Sequence, residues 1–351
     1  MAVSTTIALD AMGGDQAPDF VVQGADIALE RMPDLRLVLV GEEPRVLELV
    51  AKTRRLRDSA VEIVPSDEVV GADERPSAVL RRGRRTSMRV ATDLVANGAA
   101  DGVVSAGNTG AFMALSKFLI GTCPGITRPA IAGFFPTLRG ETCVLDLGAN
   151  IECDTENYVQ FAMMGAIFTR IVLGLETPSV GLLNVGSEEQ KGYQDLRDAA
   201  DVLRNRDMPL SYHGFVEGND LATGSVDVIV TNGFTGNIAL KTAEGSAQFL
   251  TSLLRDSFRS SWMAQLGYLL CRRALRRTLG RVDPRRRNGA VFLGLNSIVV
   301  KSHGGTDRLG FANAICVAAN MARFGFLDSV REELSVQGAV QDRNSVSAAL
   351  P

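Results

Sequence analysis

The sequence predicts an α/β fold, a largely parallel sheet flanked by helices. Two observations carry that prediction. Short β-branched runs alternate with longer stretches of helical periodicity. The runs themselves, such as "LRLVLV", "VDVIVT" and "NSIVVK", are almost continuously apolar, as strands buried on both faces must be. A third observation bears on function: strand after strand ends in a Gly-rich polar loop.

A first strand at 5–10 runs into "DAMGGD" (10–15), and a helix at 17–31 follows. Strands at 35–40 and 61–65 precede a long helical pattern at 76–97. The strand at 101–105 delivers "SAGNTGA" (105–111), and a helix at 109–120 is entered near Asn108 and Thr109. Strands at 129–134 and 142–147 lead to "DLGAN" (146–150) and a helix at 155–173. The strand at 179–185 ends in "NVGSEEQKG" (184–192), with a helix at 188–205. The strand at 226–231 ends in "TNGFTGN" (231–237), with a helix at 236–258. A last strand at 291–301 ends in "KSHGGTD" (301–307), before a helix at 310–324. One catalytic domain is expected over 1–335, with lobes 1–140 plus 290–335 and 141–289 around a cleft, and 336–351 read as a tail.

Composition narrows the function classes. The chain has 351 residues, 46% hydrophobic and 22% charged, with a net charge of −3, which gives no global reason to expect a nucleic-acid partner. No basic leader with an apolar core opens the chain, and no window reaches the roughly 18–20 apolar residues of a membrane span. Five scattered cysteines without a CxxC pair and two histidines argue against a disulfide framework or a metal site. None of the loops is a GxGxxG or GxxxxGK[ST] motif, and no GxSxG elbow occurs, so no nucleotide cofactor and no acyl-serine are expected.

In a parallel sheet all strand C-termini lie along one edge, so the six loops are expected to converge on one crevice. Glycine lets backbone N–H groups approach an anion, and a helix N-terminus adds partial positive charge. "SAGNTGAFMAL" and "TNGFTGNIALKTAEG" both have the form of an anion cradle, the second entering its helix near Gly236 or Asn237. Lys191, Lys301 and His303 are the cationic candidates. Lys191, in an acidic run, also suits a solvated helix face, and His303 a locally bonded turn. These residues alone point to a site for a small oxyanion plus a larger substrate, with acyl or phosphoryl transfer as candidate reactions.

The motifs "IALDAMGGDQAP", "VSAGNTGA", "LLNVGSEEQKG", "TNGFTGNIALKTAEG" and "KSHGGTD" resemble, in order and spacing, the phosphate acyltransferase family of bacterial phospholipid synthesis, from about residue 5 to about 325. The resemblance implies a fold like the isopropylmalate dehydrogenase and phosphotransacetylase group, a Rossmann-like α/β/α arrangement. It implies a cytoplasmic, peripherally membrane-associated homodimer without a cofactor. The implied reaction moves a fatty acyl group from acyl carrier protein to inorganic phosphate, and a membrane glycerol-3-phosphate acyltransferase consumes the acyl phosphate. The chain departs from the family at Asn232, commonly Asp, and at Phe215 and Asn219.

Phosphate is already a nucleophile and a thiol leaves readily, so the site must chiefly hold phosphate and stabilise the tetrahedral oxyanion. In this reading Lys191, Asn237, Lys301 and His303 are catalytic. Asp10, Gly13, Gly14, Asp15, Ser105, Gly107, Asn108, Thr109, Gly110, Asn150, Asn232, Thr235 and Gly236 form the substrate and phosphate site, with Asp10 and Asp15 orienting cations and loop amides. Residues 272–287 carry eight Arg against one Asp, and 81–89 carry five Arg and no acid, so either run suits an acidic carrier protein. Trp262, Met263, Leu266 and Leu269 share a helix side next to Arg272, Arg273 and Arg276, the pattern of a helix lying on an anionic membrane, with a dimer-core helix as the rival. Two other functions compete: a phosphotransacetylase-like enzyme using acyl-coenzyme A, and an inactive membrane-associated scaffold.

Overall fold

The computed structural model describes residues 5–59, 61–206, 208–280 and 288–333. Its eleven strands are β1 (Thr6–Asp10), β2 (Arg36–Gly41), β3 (Glu62–Pro65), β4 (Gly102–Ser105), β5 (Ala130–Pro136), β6 (Glu141–Leu145), β7 (Ser179–Leu183), β8 (Ser211–Val216), β9 (Val228–Val230), β10 (Ala290–Leu293) and β11 (Ile298–Lys301). The helices are α1 (Asp19–Arg31), α2 (Glu43–Ala51), α3 (Arg55–Asp58), α4 (Pro76–Arg82), α5 (Ser87–Ala96), α6 (Thr109–Leu119), α7 (Thr155–Leu173), α8 (Gln194–Asn205), α9 (Asp220–Thr223), α10 (Gly233–Arg259), α11 (Trp262–Leu279) and α12 (Arg308–Arg323).

All strands join one sheet in the order β3-β2-β1-β4-β11-β10-β5-β6-β9-β7-β8. Successive strand side chains point to opposite faces. Ile7, Leu9, Val104, Leu145, Val230 and Val300 therefore fall in one apolar layer, shared with residues of α1, α7, α8 and α12. Their neighbours Ala8, Val103, Val144, Ile229 and Val299 fall in a second layer, shared with α4, α5 and α6. Each layer runs across the sheet, which explains why the strands read as apolar throughout. The α/β class with a largely parallel sheet is what the sequence predicted.

Strand direction differs from that expectation. β10 runs antiparallel to both β11 and β5, and β5 runs antiparallel to β6. The remaining pairings are parallel. The loops after β1, β4 and β11 thus leave one edge of the sheet, and those after β6, β7 and β9 leave the other. The expected convergence of six loops on one edge is corrected to two groups of three. The cause is a pair of hairpins. One joins β5 to β6 through a turn closed by Thr137 N–H to the Gly140 carbonyl. The other joins β10 to β11 through Gly294, whose φ is +90°, and it breaks the expected 291–301 strand in two.

Other boundaries moved for local reasons. The 76–97 helix divides at Gly83, after which the Thr86 hydroxyl caps α5 by accepting from Arg89 N–H. The 188–205 helix begins only at Gln194. α10 begins at Gly233, because the Asn232 side chain caps it. α2 and β8 were not expected. After Leu240, which packs against the second layer, α10 leaves the body of the protein; its only buried residues are Gly233 and Gly236, and it folds back against α11. The expected tail at 336–351 lies outside the described residues.

Candidate active site

The first loop group is built around Asp10, the last residue of β1, which is 1% exposed. The Ser87 hydroxyl donates to its Oδ1 at 2.6 Å and the Ser105 hydroxyl to its Oδ2 at 2.6 Å. Met12 N–H adds a longer bond to Oδ1 at 3.3 Å. Burial raises the Asp10 pKa, and the two hydroxyls and loop amides oppose that rise. Ser105 in turn accepts from Gly107 N–H at 3.0 Å, so the carboxylate and the loop after β4 are fixed together. Gly13 must be glycine, since a Cβ there would lie 2.5 Å from Asp10 Oδ2 and 2.8 Å from Gly107 N. Gly14 adopts φ +110°.

The loop after β11 is stitched to both neighbours: Asp15 N–H donates to the Gly304 carbonyl and Ser302 N–H to the Ser105 carbonyl. Adjacent strands lie about 4.8 Å apart, so the loops after β1, β4 and β11 share one small region. Lys301 is buried, and its ammonium donates to the Ser302 carbonyl. Burial pulls its pKa down to about 8, while the charges of Asp10 and Asp15 resist the fall. His303 is exposed, and its Nδ1 accepts from Gly305 N–H at 3.2 Å. That bond makes Nδ1 an acceptor and leaves Nε2 as the ring's donor position. Asn288 braces this loop, accepting from His303 N–H at 2.9 Å and donating to the Ser302 hydroxyl at 2.6 Å.

α6 opens from the same region. Its N-cap Asn108 accepts from Ala111 N–H through Oδ1, and its amide nitrogen donates to the carbonyls of Gly71, Ala72 and Glu74. The Asn108 side chain is therefore spent on the fold. The amides of Thr109 and Gly110, both exposed residues, precede the first intrahelical bond, Phe112 N–H to the Asn108 carbonyl, and carry the positive end of the helix dipole. A buried cation, an exposed imidazole and a helix N-terminus beside a clamped carboxylate make this region receptive to an oxyanion.

The second group centres on Asp146, buried after β6. Its carboxylate accepts from the amides of Ile131, Gly148, Ala149 and Asn150 and from the Asn150 side chain. Asn150 gives its other bond to the Pro129 carbonyl, so its side chain holds the loop. α10 begins directly on this loop: Gly233 N–H donates to the Asn150 carbonyl, and a Cβ on Gly236 would fall 1.9 Å from the Asp146 carbonyl oxygen. Asn232 caps through Thr235 N–H and donates to the Tyr158 hydroxyl at 3.4 Å. Asn237 lies against Gly148. Lys191 is exposed in a turn closed by Asn184 and Arg197, not on a helix face.

The structure thus brings together Asp10, Gly13, Gly14, Asp15, Ser105, Gly107, Asn108, Thr109, Gly110, Lys301 and His303 in one group. It brings Asn150, Asn232, Thr235, Gly236 and Asn237 together in another, with Lys191 on the loop after β7 at the same edge. Each hydrogen bond described for these loops stays within its own half. Sequence reasoning missed Ser87, Asp146, Tyr158 and Asn288. Ser87 lay inside the Arg-rich 81–89 run, and reading 76–97 as one helix hid the Thr86 cap that would have marked it as a helix start.

On the α10–α11 hairpin, Trp262, Met263, Leu266 and Leu269 are exposed, with Phe249, Leu250, Leu253 and Leu254 exposed on α10. Arg272 and Arg273 are exposed beside them. Arg276 belongs to α11, but its side chain and residues 281–287 lie outside the described ones. No single helix among the described residues is long and apolar enough to cross a membrane.

The "Fatty acid synthesis protein" family model matches residues 5–329. The chain is 58% identical over 337 residues to a phosphate acyltransferase of Rhodospirillum centenum, covering 95% of this chain and 94% of that one. It is 51% identical over 350 residues to one of Rhodospirillum rubrum, covering all of both. Among solved structures, a phosphotransacetylase of Streptococcus pyogenes superposes with a TM-score of 0.61 at 19% identity, over 91% of this chain and 94% of that one. A 4-hydroxythreonine-4-phosphate dehydrogenase of Klebsiella pneumoniae gives 0.55 at 15%, over 91% and 100%. At such identities these two show a shared fold, the one the sequence resemblance implied.

Proposed function

This chain belongs to the phosphate acyltransferase family, and we propose that it transfers a fatty acyl group from acyl carrier protein to inorganic phosphate. It is an acyltransferase. A phosphate oxygen attacks the thioester carbonyl, the C–S bond breaks, and the carrier leaves as thiolate and takes up a proton, giving an acyl phosphate. The reading is carried by the Asp10 region, where Lys301, His303 Nε2 and the α6 N-terminus offer donors to an anion next to a rigidly held carboxylate. Lys301 neutralises phosphate, and His303 and the Thr109 and Gly110 amides stabilise the oxyanion. Asn237 and Lys191 stand at the opposite edge of the sheet and take no part in this step.

The test is phosphate-dependent release of thiol from long-chain acyl carrier protein, with hydroxylamine trapping of the acyl phosphate. Turnover with acyl carrier protein at least tenfold faster than with acyl-coenzyme A is expected. Equal or faster turnover with acyl-coenzyme A would replace this reading by the phosphotransacetylase-like one.

The unburied apolar faces of α10 and α11 support a second element of the reading: the protein is a homodimer that rests on an anionic membrane surface through the hairpin, where a membrane glycerol-3-phosphate acyltransferase takes up the product. Flotation with vesicles containing acidic lipid, but not with neutral vesicles, is the expected result.

A further inference from the structure

Ser87 stands outside every Gly-rich loop, yet its hydroxyl makes one of the two shortest bonds to Asp10. It is the first residue of α5 and 1% exposed. Thr86 immediately before it caps the helix and donates its own hydroxyl to the Gly83 carbonyl at 2.8 Å. Ser87 N–H donates to the Glu68 carbonyl, and the Ser66 hydroxyl donates to the Arg85 carbonyl at 2.6 Å. The backbone at Ser87 is therefore pinned from two sides, and its hydroxyl is aimed before any ligand arrives.

A carboxylate only accepts, so in this arrangement both serine hydroxyls donate. Separations of 2.6 Å lie in the range of O–H to carboxylate bonds strengthened by the full negative charge. Ser105 passes the constraint on to Gly107 N–H, whereas Ser87 answers to Asp10 alone.

We propose that Ser87 is a positioning residue of the acyl-transfer site, holding Asp10 ionised and oriented so that it keeps Lys301 charged for phosphate. The inference rests on the reading of the site as a phosphate acyltransferase centre. The titratable groups around Asp10 are Lys301 on β11 and Asp15 on its own loop, with His303 two residues beyond Lys301. From α5 come Arg89 and Asp93, which pair with each other at 3.7 Å. Removing the Ser87 hydroxyl takes away a donor that favours the charged carboxylate, so Asp10 takes up a proton at higher pH. Where Asp10 is protonated, Lys301 loses the larger of the two carboxylate attractions that oppose its burial.

The test compares the parent with Ser87→Ala and Ser87→Thr in two measurements. In the first, kcat/KM for phosphate is followed against pH. Ser87→Ala should fall roughly 10- to 100-fold at neutral pH, the worth of a bond to a charged group. Its acid limb, set by Asp10, should move up. The second needs no substrate. The melting temperature of Ser87→Ala should lie below the parent's at neutral pH, and the gap should close as acid protonates Asp10 in both proteins. Ser87→Thr, which keeps the hydroxyl, should recover most of both effects. A melting gap independent of pH, or an unmoved acid limb in an active Ser87→Ala protein, would overturn the inference. An inactive parent with a pH-dependent gap would instead remove the acyl-transfer reading and leave the Ser87–Asp10 coupling standing.

Discussion

Replacing Lys301 by methionine should stabilise the protein while removing phosphate-dependent acyl transfer. Burial lowers the Lys301 pKa from 10.5 to about 8 against the attraction of Asp10 and Asp15. At about 1.4 kcal/mol for each tenfold change, keeping this ammonium charged in the fold costs roughly 3 kcal/mol. Below pH 8 the folded and unfolded chains both carry the charge, and the whole cost is present. Between about 8 and 10.5 the folded protein loses the proton first, so the unfolded state binds more protons and stability rises with pH. Above 10.5 both are neutral and the cost is gone. Methionine is apolar and flexible enough to follow the lysine stem, but the lost bond to the Ser302 carbonyl offsets about 1–2 kcal/mol. A net gain of about 1–2 kcal/mol at pH 7 is therefore expected. Urea unfolding of parent and variant from pH 6.5 to 10.5 measures it, beside thiol release from acyl carrier protein at pH 7. The advantage must shrink across the upper part of that range while turnover is lost. A difference that stays flat with pH, or a methionine variant with near-normal turnover, refutes the reasoning.

Gly236→Ala should cost roughly 2–4 kcal/mol in urea unfolding, because its Cβ would meet the Asp146 carbonyl oxygen at 1.9 Å and force α10 off its loop. Gly13→Ala places a methyl 2.5 Å from Asp10 Oδ2. A drop in kcat/KM of about 100-fold or more is expected, with the melting temperature lowered only moderately. Asn108→Ala removes the α6 cap and the hold on the Gly71, Ala72 and Glu74 carbonyls, so calorimetry should show a loss of about 1–2 kcal/mol. Trp262→Glu with Leu266→Glu should abolish flotation with acidic vesicles and leave thiol release from a soluble acyl carrier protein unchanged, since both side chains lie on the exposed hairpin.

Much of this protein was legible one residue at a time. A strand such as "LRLVLV" declares burial on both faces wherever it sits in the sheet, because its apolar pattern is a local consequence of the two layers it separates. The glycines of "DAMGGD" and "TNGFTGN" announce close approach of backbone, and the structure supplies the neighbours, Gly107 and the Asp146 carbonyl. The ordered set of motifs also pointed to the family that near-full-length relatives share.

Strand direction was not legible, because an apolar run reads the same in either sense. Two short hairpins reversed it and divided six similar loops between two edges. Nor could sequence spacing distinguish an asparagine that binds from one that caps. Asn108, Asn150 and Asn232 were marked as binding residues by their loops. The side chains of Asn108 and Asn150 bond carbonyls brought near by folding, and Asn232 caps its own helix and reaches the Tyr158 hydroxyl. Ser87 shows the same limit from the other side, for it lies 77 residues from Asp10 along the chain and 2.6 Å from it in space. The sequence by itself determined the layers, the glycine-dependent turns and the family, since each is written in local pattern. Only the tertiary structure decided which loops share an edge, which polar side chains remain free, and that a serine in an arginine-rich run steadies Asp10, because those depend on contacts between segments far apart in the chain.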